Sequence, residues 1–142
     1  MPVRKANAEW RGDLKSGEGS VTTESAALDA SYSFGSRFQD AGGANPEELI
    51  GAAHAGCFSM ALAHSLAEAG FEPRRISTSA SVQLEEAGEG FAITRIVLDA
   101  DAEVPDIEES RFQQEAEGAK ENCPVSRALA GVDIELNATL SR

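Results

Sequence analysis

Asn45-Pro46-Glu47-Glu48-Leu49-Ile50-Gly51-Ala52-Ala53-His54-Ala55-Gly56-Cys57-Phe58-Ser59-Met60 opens the strongest helix signal in the chain. Asparagine is a favoured N-cap, and proline at the first helical position gives up a donor that would be unpaired anyway. Glu47 and Glu48 then sit at the positive end of the helix dipole. The pattern predicts a helix running to about Ala69 and stopping at Gly70, a natural C′ residue. Its middle is small or apolar nearly all round, which predicts a helix buried on most sides.

Working outward, residues 3–24 read as two strands separated by the turn chemistry of Gly12-Asp13-Leu14-Lys15-Ser16-Gly17. Residues 25–44 hold no sustained period and read as a loop carrying Phe34, Arg37 and Phe38. Residues 75–86 and 91–104 form a hairpin pattern around Ala87-Gly88-Glu89-Gly90. A second, more polar helix is predicted from Asp106 to about Asn122. Cys123-Pro124-Val125-Ser126 opens a short third helix that ends at Gly131. Last comes an alternating strand, with Val132, Ile134, Leu136, Ala138 and Leu140 on one face. The order ββ–α–ββ–αα–β predicts an α+β fold, an antiparallel sheet packed on a long central helix. One domain is expected over residues 1–142.

The chain has 142 residues and a formal net charge of −12. So acidic a surface disfavours nucleic-acid phosphates and anionic lipid as partners. Histidines, Glu68 and serines interrupt the most apolar stretch, so no membrane span is expected. Two charges near the N-terminus are followed by no apolar segment of the secretory kind, and the expected compartment is the cytoplasm. Cys57 and Cys123, the two cysteines, are then inert core thiols, a metal half-site or a redox pair.

The sulfur of Cys57 lies in mid-helix, where the dipole gives it nothing, and a lone cysteine on an apolar helix is usually packing. Cys123 falls at an expected N-cap, where free N–H groups stabilise a thiolate. Local physics therefore names Cys123 as the more acidic thiol. His54 and Cys57, three residues apart, share a helix face, but adding His64 gives only three soft candidates spread over about 10 Å beyond Cys57. No metal and no cofactor is expected. Spacing alone does not single out Arg37 or Glu47.

The run Asn45–Met60 closely resembles the central helix of the OsmC/Ohr family, and Cys123-Pro124-Val125-Ser126 resembles that family's second cysteine motif. The Arg37-Phe38 pair and the flow of Phe91-Ala92-Ile93-Thr94 into the later helices match as well. The position of Arg37 after a long N-terminal hairpin looks like the OsmC branch. The resemblance implies a thiol peroxidase of oxidative and osmotic stress defence, built as an intertwined homodimer. It implies that Cys57 attacks peroxide, Cys123 resolves the resulting sulfenic acid to a disulfide, and Arg37 and Glu47 complete the site. It also implies an organic hydroperoxide as substrate and a dithiol, such as a lipoyl-bearing protein, as reductant. A non-catalytic stress or ligand-binding protein of the same fold is the competing expectation.

Helix geometry adds one expectation. Glu47 and Cys57 are ten residues apart, about 15 Å along a continuous helix. Two copies of the helix packed antiparallel about a two-fold axis near Ala52 would bring Glu47 of one beside Cys57 of the other. Gly51, Ala52, Ala53, Ala55 and Gly56 are small enough for that approach.

Overall fold

The structure, a computed structural model, describes residues 2–141. In chain order its elements are β1 (Ala6–Arg11), β2 (Glu18–Thr23), β3 (Asp29–Tyr32), α1 (Phe34–Phe38), α2 (Pro46–Glu68), β4 (Arg75–Ala87), β5 (Gly90–Glu103), α3 (Glu109–Asn122), α4 (Pro124–Ala128) and β6 (Asp133–Ser141). This is an α+β fold with one long helix, as the pattern predicts. The chain forms two compact units, Met1–Leu49 and Ile50–Arg142, so the boundary falls inside α2.

In the first unit β1, β2 and β3 make an antiparallel meander. Gly19 pairs with both Trp10 and Tyr32. A Cβ on Gly19 would come within 2.5 Å of the Tyr32 ring and 2.6 Å of the Trp10 ring. Only glycine allows those two aromatics to approach, with centroids 5.4 Å apart. The expected loop over 25–44 is thus wrong for part of its length. Asp29-Ala30-Ser31-Tyr32 is a strand because β2 pairs with it, not because its own apolar alternation is strong. The short α1 follows from a capping box: Ser33 Oγ accepts from the Ser36 N–H at 3.1 Å, and the Ser33 N–H donates to Ser36 Oγ at 2.8 Å.

α2 begins and ends where its sequence says. Asn45 Oδ1 accepts from the Glu48 N–H at 2.8 Å, a true N-cap. Gly70 adopts φ +92°, and the Phe71 N–H reaches back to the Leu66 carbonyl at 2.8 Å, a Schellman stop. By length and a mean hydropathy of 1.3, α2 could cross a membrane. The apolar stripe that raises this value is spent on protein: Phe58, Leu62 and Leu66, spaced four apart, are completely buried. Each such side chain stabilises the fold by about 1.5–3 kcal/mol. Burial on most sides, however, is not what the chain achieves. Ala52, Ala53, Gly56 and Met60 stay exposed, Met60 by 76%.

In the second unit β5 is the central strand of the sheet β4-β5-β6. Ile96, Leu98, Ala100 and Ala102 alternate inward along it and meet the α2 stripe in one core with Val104, Ile107, Phe112 and Ala116. The β4–β5 hairpin is as expected, with Gly88 at φ +61° in the turn. β6, by contrast, runs parallel to β5, so the sheet is mixed and not wholly antiparallel. The reason lies between them: α3 and α4 carry the chain back to the end from which β5 started, the connection that parallel strands require. α3 starts three residues later than expected, because Asp106 occupies a left-handed turn at φ +71° and does not serve as a cap. α4 ends at Ala128, short of Gly131.

Candidate functional site

Arg37 and Glu47 come together within the first unit. Arg37 Nε donates to Glu47 Oε1 and Nη2 to Oε2, both at 3.0 Å, the two-pronged geometry in which guanidinium and carboxylate fit best. Glu47 is nearly buried while Arg37 is 37% exposed along its side chain. The elements carrying them are locked by one residue. Asn45, which caps α2, also donates through Nδ2 to the Ser36 carbonyl at 3.1 Å, and Ser36 Oγ donates to the Ala44 carbonyl at 2.7 Å. Arg37 also lies over the Phe38 ring at 5.3 Å, and Phe38 packs on Phe34 with centroids 4.9 Å apart. A hollow of about 390 Å³ here is walled by Trp10, Leu14, Tyr32, Phe34, Arg37 and Phe38.

Cys57 and Cys123 come together within the second unit. Both are free thiols, Cys57 partly buried and Cys123 fully buried at the end of α3 and the start of α4. The two thiols lie close enough to act on each other's ionisation. Burial, and then the neighbouring Cys123, push the Cys57 thiol above its ordinary value, with the Val125 N–H acting the other way. Burial also pushes Cys123 up, but its donors overcome this: the Cys57 thiol, the Ser126 N–H, the Ser126 hydroxyl and the Val125 N–H. Cys123 is therefore held below its ordinary value. The sulfur closes no capping hydrogen bond on α4, yet these N–H groups lie near enough to favour its charged form. The ordering read from the sequence, Cys123 the more acidic, agrees with this.

Sequence reasoning gave neither Ser126 nor His54 a part in the site. His54 is fully buried, and its Nε2 lies 2.7 Å from Ser126 Oγ. Burial lowers its pKa, so the ring is neutral. The only local hint was a serine three residues after Cys123. His64 lies exposed on α2, 3.5 Å from Glu68. Among the described residues no group of three or more His, Cys, Asp or Glu could hold a metal ion. Phe58, the residue after Cys57, is completely buried in the core. A larger hollow of about 810 Å³ between α2 and α3 is lined by polar groups such as Ser65, Arg111 and Glu115.

Against known proteins, residues 39–137 match the family model described as OsmC-like protein. The peroxiredoxin OsmC of Escherichia coli is 51% identical over 127 residues, 89% of each chain. The organic hydroperoxide resistance protein of Xanthomonas axonopodis pv. citri is 32% identical over 127 residues, 87% of each. The crystal structure of the organic hydroperoxide resistance protein OhrB of Bacillus subtilis superposes with a TM-score of 0.68 at 27% identity, covering 96% of this chain and 98% of that one.

Proposed function

The chain belongs to the OsmC family, and from that membership we propose that it is a cytoplasmic, cysteine-dependent peroxidase that reduces organic hydroperoxides. The observation that carries this reading is the pair of free thiols, Cys57 and Cys123, far apart in sequence yet close enough in the second unit to act on each other's ionisation. The Cys57 thiolate attacks the terminal oxygen of the hydroperoxide. An S–O bond forms, the O–O bond breaks, and the departing alkoxide takes a proton from water to leave as alcohol. Cys57 is now a sulfenic acid. The Cys123 thiolate attacks that sulfur, an S–S bond replaces the S–O bond, and hydroxide leaves to be protonated to water. An external dithiol reduces the disulfide and is itself oxidised to a disulfide. A lipoyl-bearing protein would supply such a dithiol.

Cys57 needs help that its own unit does not give, since burial and Cys123 both hold its thiol up. A guanidinium beside it would stabilise the thiolate, and Arg37, fixed by Glu47, is the cation this reading assigns. In this reading the whole chain, 1–142, is one OsmC-like domain that acts as an intertwined homodimer. The uncovered small-residue face of α2, with Ala52, Ala53, Gly56 and Met60, supports a second copy packing there. The aromatic hollow beside Arg37 supports an apolar substituent on the peroxide. The test is consumption of a dithiol by purified protein in the presence of cumene hydroperoxide. Turnover that depends on peroxide and disappears in Cys57→Ser is expected; an intact, reduced dimer that consumes no dithiol would leave a non-catalytic stress protein.

A further inference from the structure

The hollow beside Arg37 owes its shape to a side chain that the chemistry of the thiols does not use. Trp10, the single tryptophan of the chain, lines it from β1, and Gly12 and Leu14 line it from the β1–β2 turn. The indole lies against Tyr32, with ring centroids 5.4 Å apart. Its Nε1–H donates into the turn, to the Gly12 carbonyl at 3.1 Å and the Asp13 carbonyl at 3.3 Å. The polar tip of Trp10 thus grips the turn while the body of the ring lines the hollow.

The turn is built to accept that grip. The Gly17 N–H closes it on the Asp13 carbonyl at 2.9 Å, and the Asp13 carboxylate accepts from the Ser16 N–H at 2.7 Å. A Cβ on Gly17 would stand 2.3 Å from the Asp13 carbonyl oxygen and 3.0 Å from Trp10 Nε1, so glycine is what leaves the indole room. Leu14 is 62% exposed. Packing does not hold it in place, so the turn must.

The lining names an occupant. Trp10, Tyr32, Phe34 and Phe38 offer apolar rings, and Arg37 stands among them. Arg37 commits Nε and Nη2 to Glu47, while Nη1 has no hydrogen-bond partner among the described residues. An apolar body carrying a hydrogen-bond acceptor fits both features. A volume of about 390 Å³ has room for a benzene ring on a short branched chain.

We propose that Trp10 is the specificity-determining residue of a slot for arylalkyl hydroperoxides. Its indole N–H fixes the β1–β2 turn, so that Leu14 and the indole itself receive the aryl group. That the compound bound is a hydroperoxide rests on the peroxidase reading above. Hydrogen peroxide has no group to place in the slot and gains nothing from it.

Two measurements test this. The first needs no turnover, because Trp10 is its own reporter. Emission of the wild-type protein is titrated with 2-phenyl-2-propanol, the alcohol that cumene hydroperoxide leaves. A saturable change is expected. Emission that ignores the alcohol, or that changes only when the protein is diluted, would give the hollow to a second copy and overturn the proposal. The second is Trp10→Phe, which keeps a ring beside Tyr32 and removes the N–H, with folding checked by circular dichroism. Its preference for cumene hydroperoxide over hydrogen peroxide should fall roughly threefold to tenfold, through KM for the cumene compound rather than through kcat. An unchanged preference, or a kcat loss shared alike by both peroxides, would make Trp10 merely structural and overturn the assignment. The two readings fail separately. Saturable binding of the alcohol by a protein without peroxide turnover would uphold the slot and remove the peroxidase.

Discussion

Arg37 grips Glu47 through two parallel hydrogen bonds of 3.0 Å each, with the carboxylate buried and the guanidinium partly open to solvent. A cation held in this way is oriented before any substrate arrives, and little side-chain entropy remains to be lost when it is used. Lysine could keep the charge at this position but not the fork.

The shared-site arrangement is tested by mixing. Glu47→Ala chains and Cys57→Ser chains are each expected to be inactive, or nearly so, as homodimers. After subunit exchange, half of the dimers are mixed, and each unites one intact Glu47 with one intact Cys57. Activity should return to about a quarter of the wild-type value. Heterodimers that form, yet show no activity beyond their parents, would place Glu47 and Cys57 in separate roles.

Burial of neutral His54 makes stability depend on pH. Its pKa in the folded state is lowered from 6.5, so the unfolded chain binds the extra proton first as pH falls. Stability attributable to His54 is therefore full above about pH 6.5 and is lost below it, with the loss ending at the folded pKa. Urea unfolding at pH 7.5 and pH 5.5 measures this, in a window above the range where carboxylates titrate. The drop should shrink in His54→Gln. An equal drop in both proteins would mean that another group is responsible.

Phe58 stands in the middle of the core stripe with Leu62 and Leu66 and touches no solvent. Phe58→Ala should cost about 3–5 kcal/mol by denaturant unfolding. A loss below about 1 kcal/mol would mean that the core collapses around the cavity or is covered differently.

Substrate preference should follow the aromatic hollow beside Arg37. kcat/KM for cumene hydroperoxide should exceed that for hydrogen peroxide, and Leu14→Ser should narrow the difference by acting on the bulky substrate alone. Equal values for the two peroxides in the wild-type protein would deny the hollow any part in recognition.

Much of this architecture was legible from local chemistry. The ends of α2 follow from Asn45, Pro46 and Gly70, and the placing of Cys123 ahead of Pro124 follows from helix-start rules. Three things were not legible, each because it is decided between distant segments. Asp29–Tyr32 is a strand by virtue of its partner β2. The direction of β6 is set by the path through α3 and α4, and alternation of side chains carries no direction. His54 and Ser126 meet only because the second unit folds α4 against α2, so neither residue announces the contact. The Arg37–Glu47 pair lies between these cases: family resemblance named both residues, while Ser33, Ser36 and Asn45 supply the local hydrogen bonds that hold them.

The central claim is that Cys57 is oxidised first and Cys123 second, although Cys123 is the more acidic thiol of the two in the structure. Reduced Cys123→Ser protein treated with one equivalent of organic hydroperoxide and dimedone tests it most directly, with adducts mapped by mass spectrometry. The account predicts a sulfenic-acid adduct on Cys57, overoxidation of Cys57 when dimedone is omitted, and a Cys57–Cys123 disulfide in the wild-type protein treated alike. An unmodified Cys57 in this variant, together with an adduct on Cys123 in Cys57→Ser protein, would contradict it.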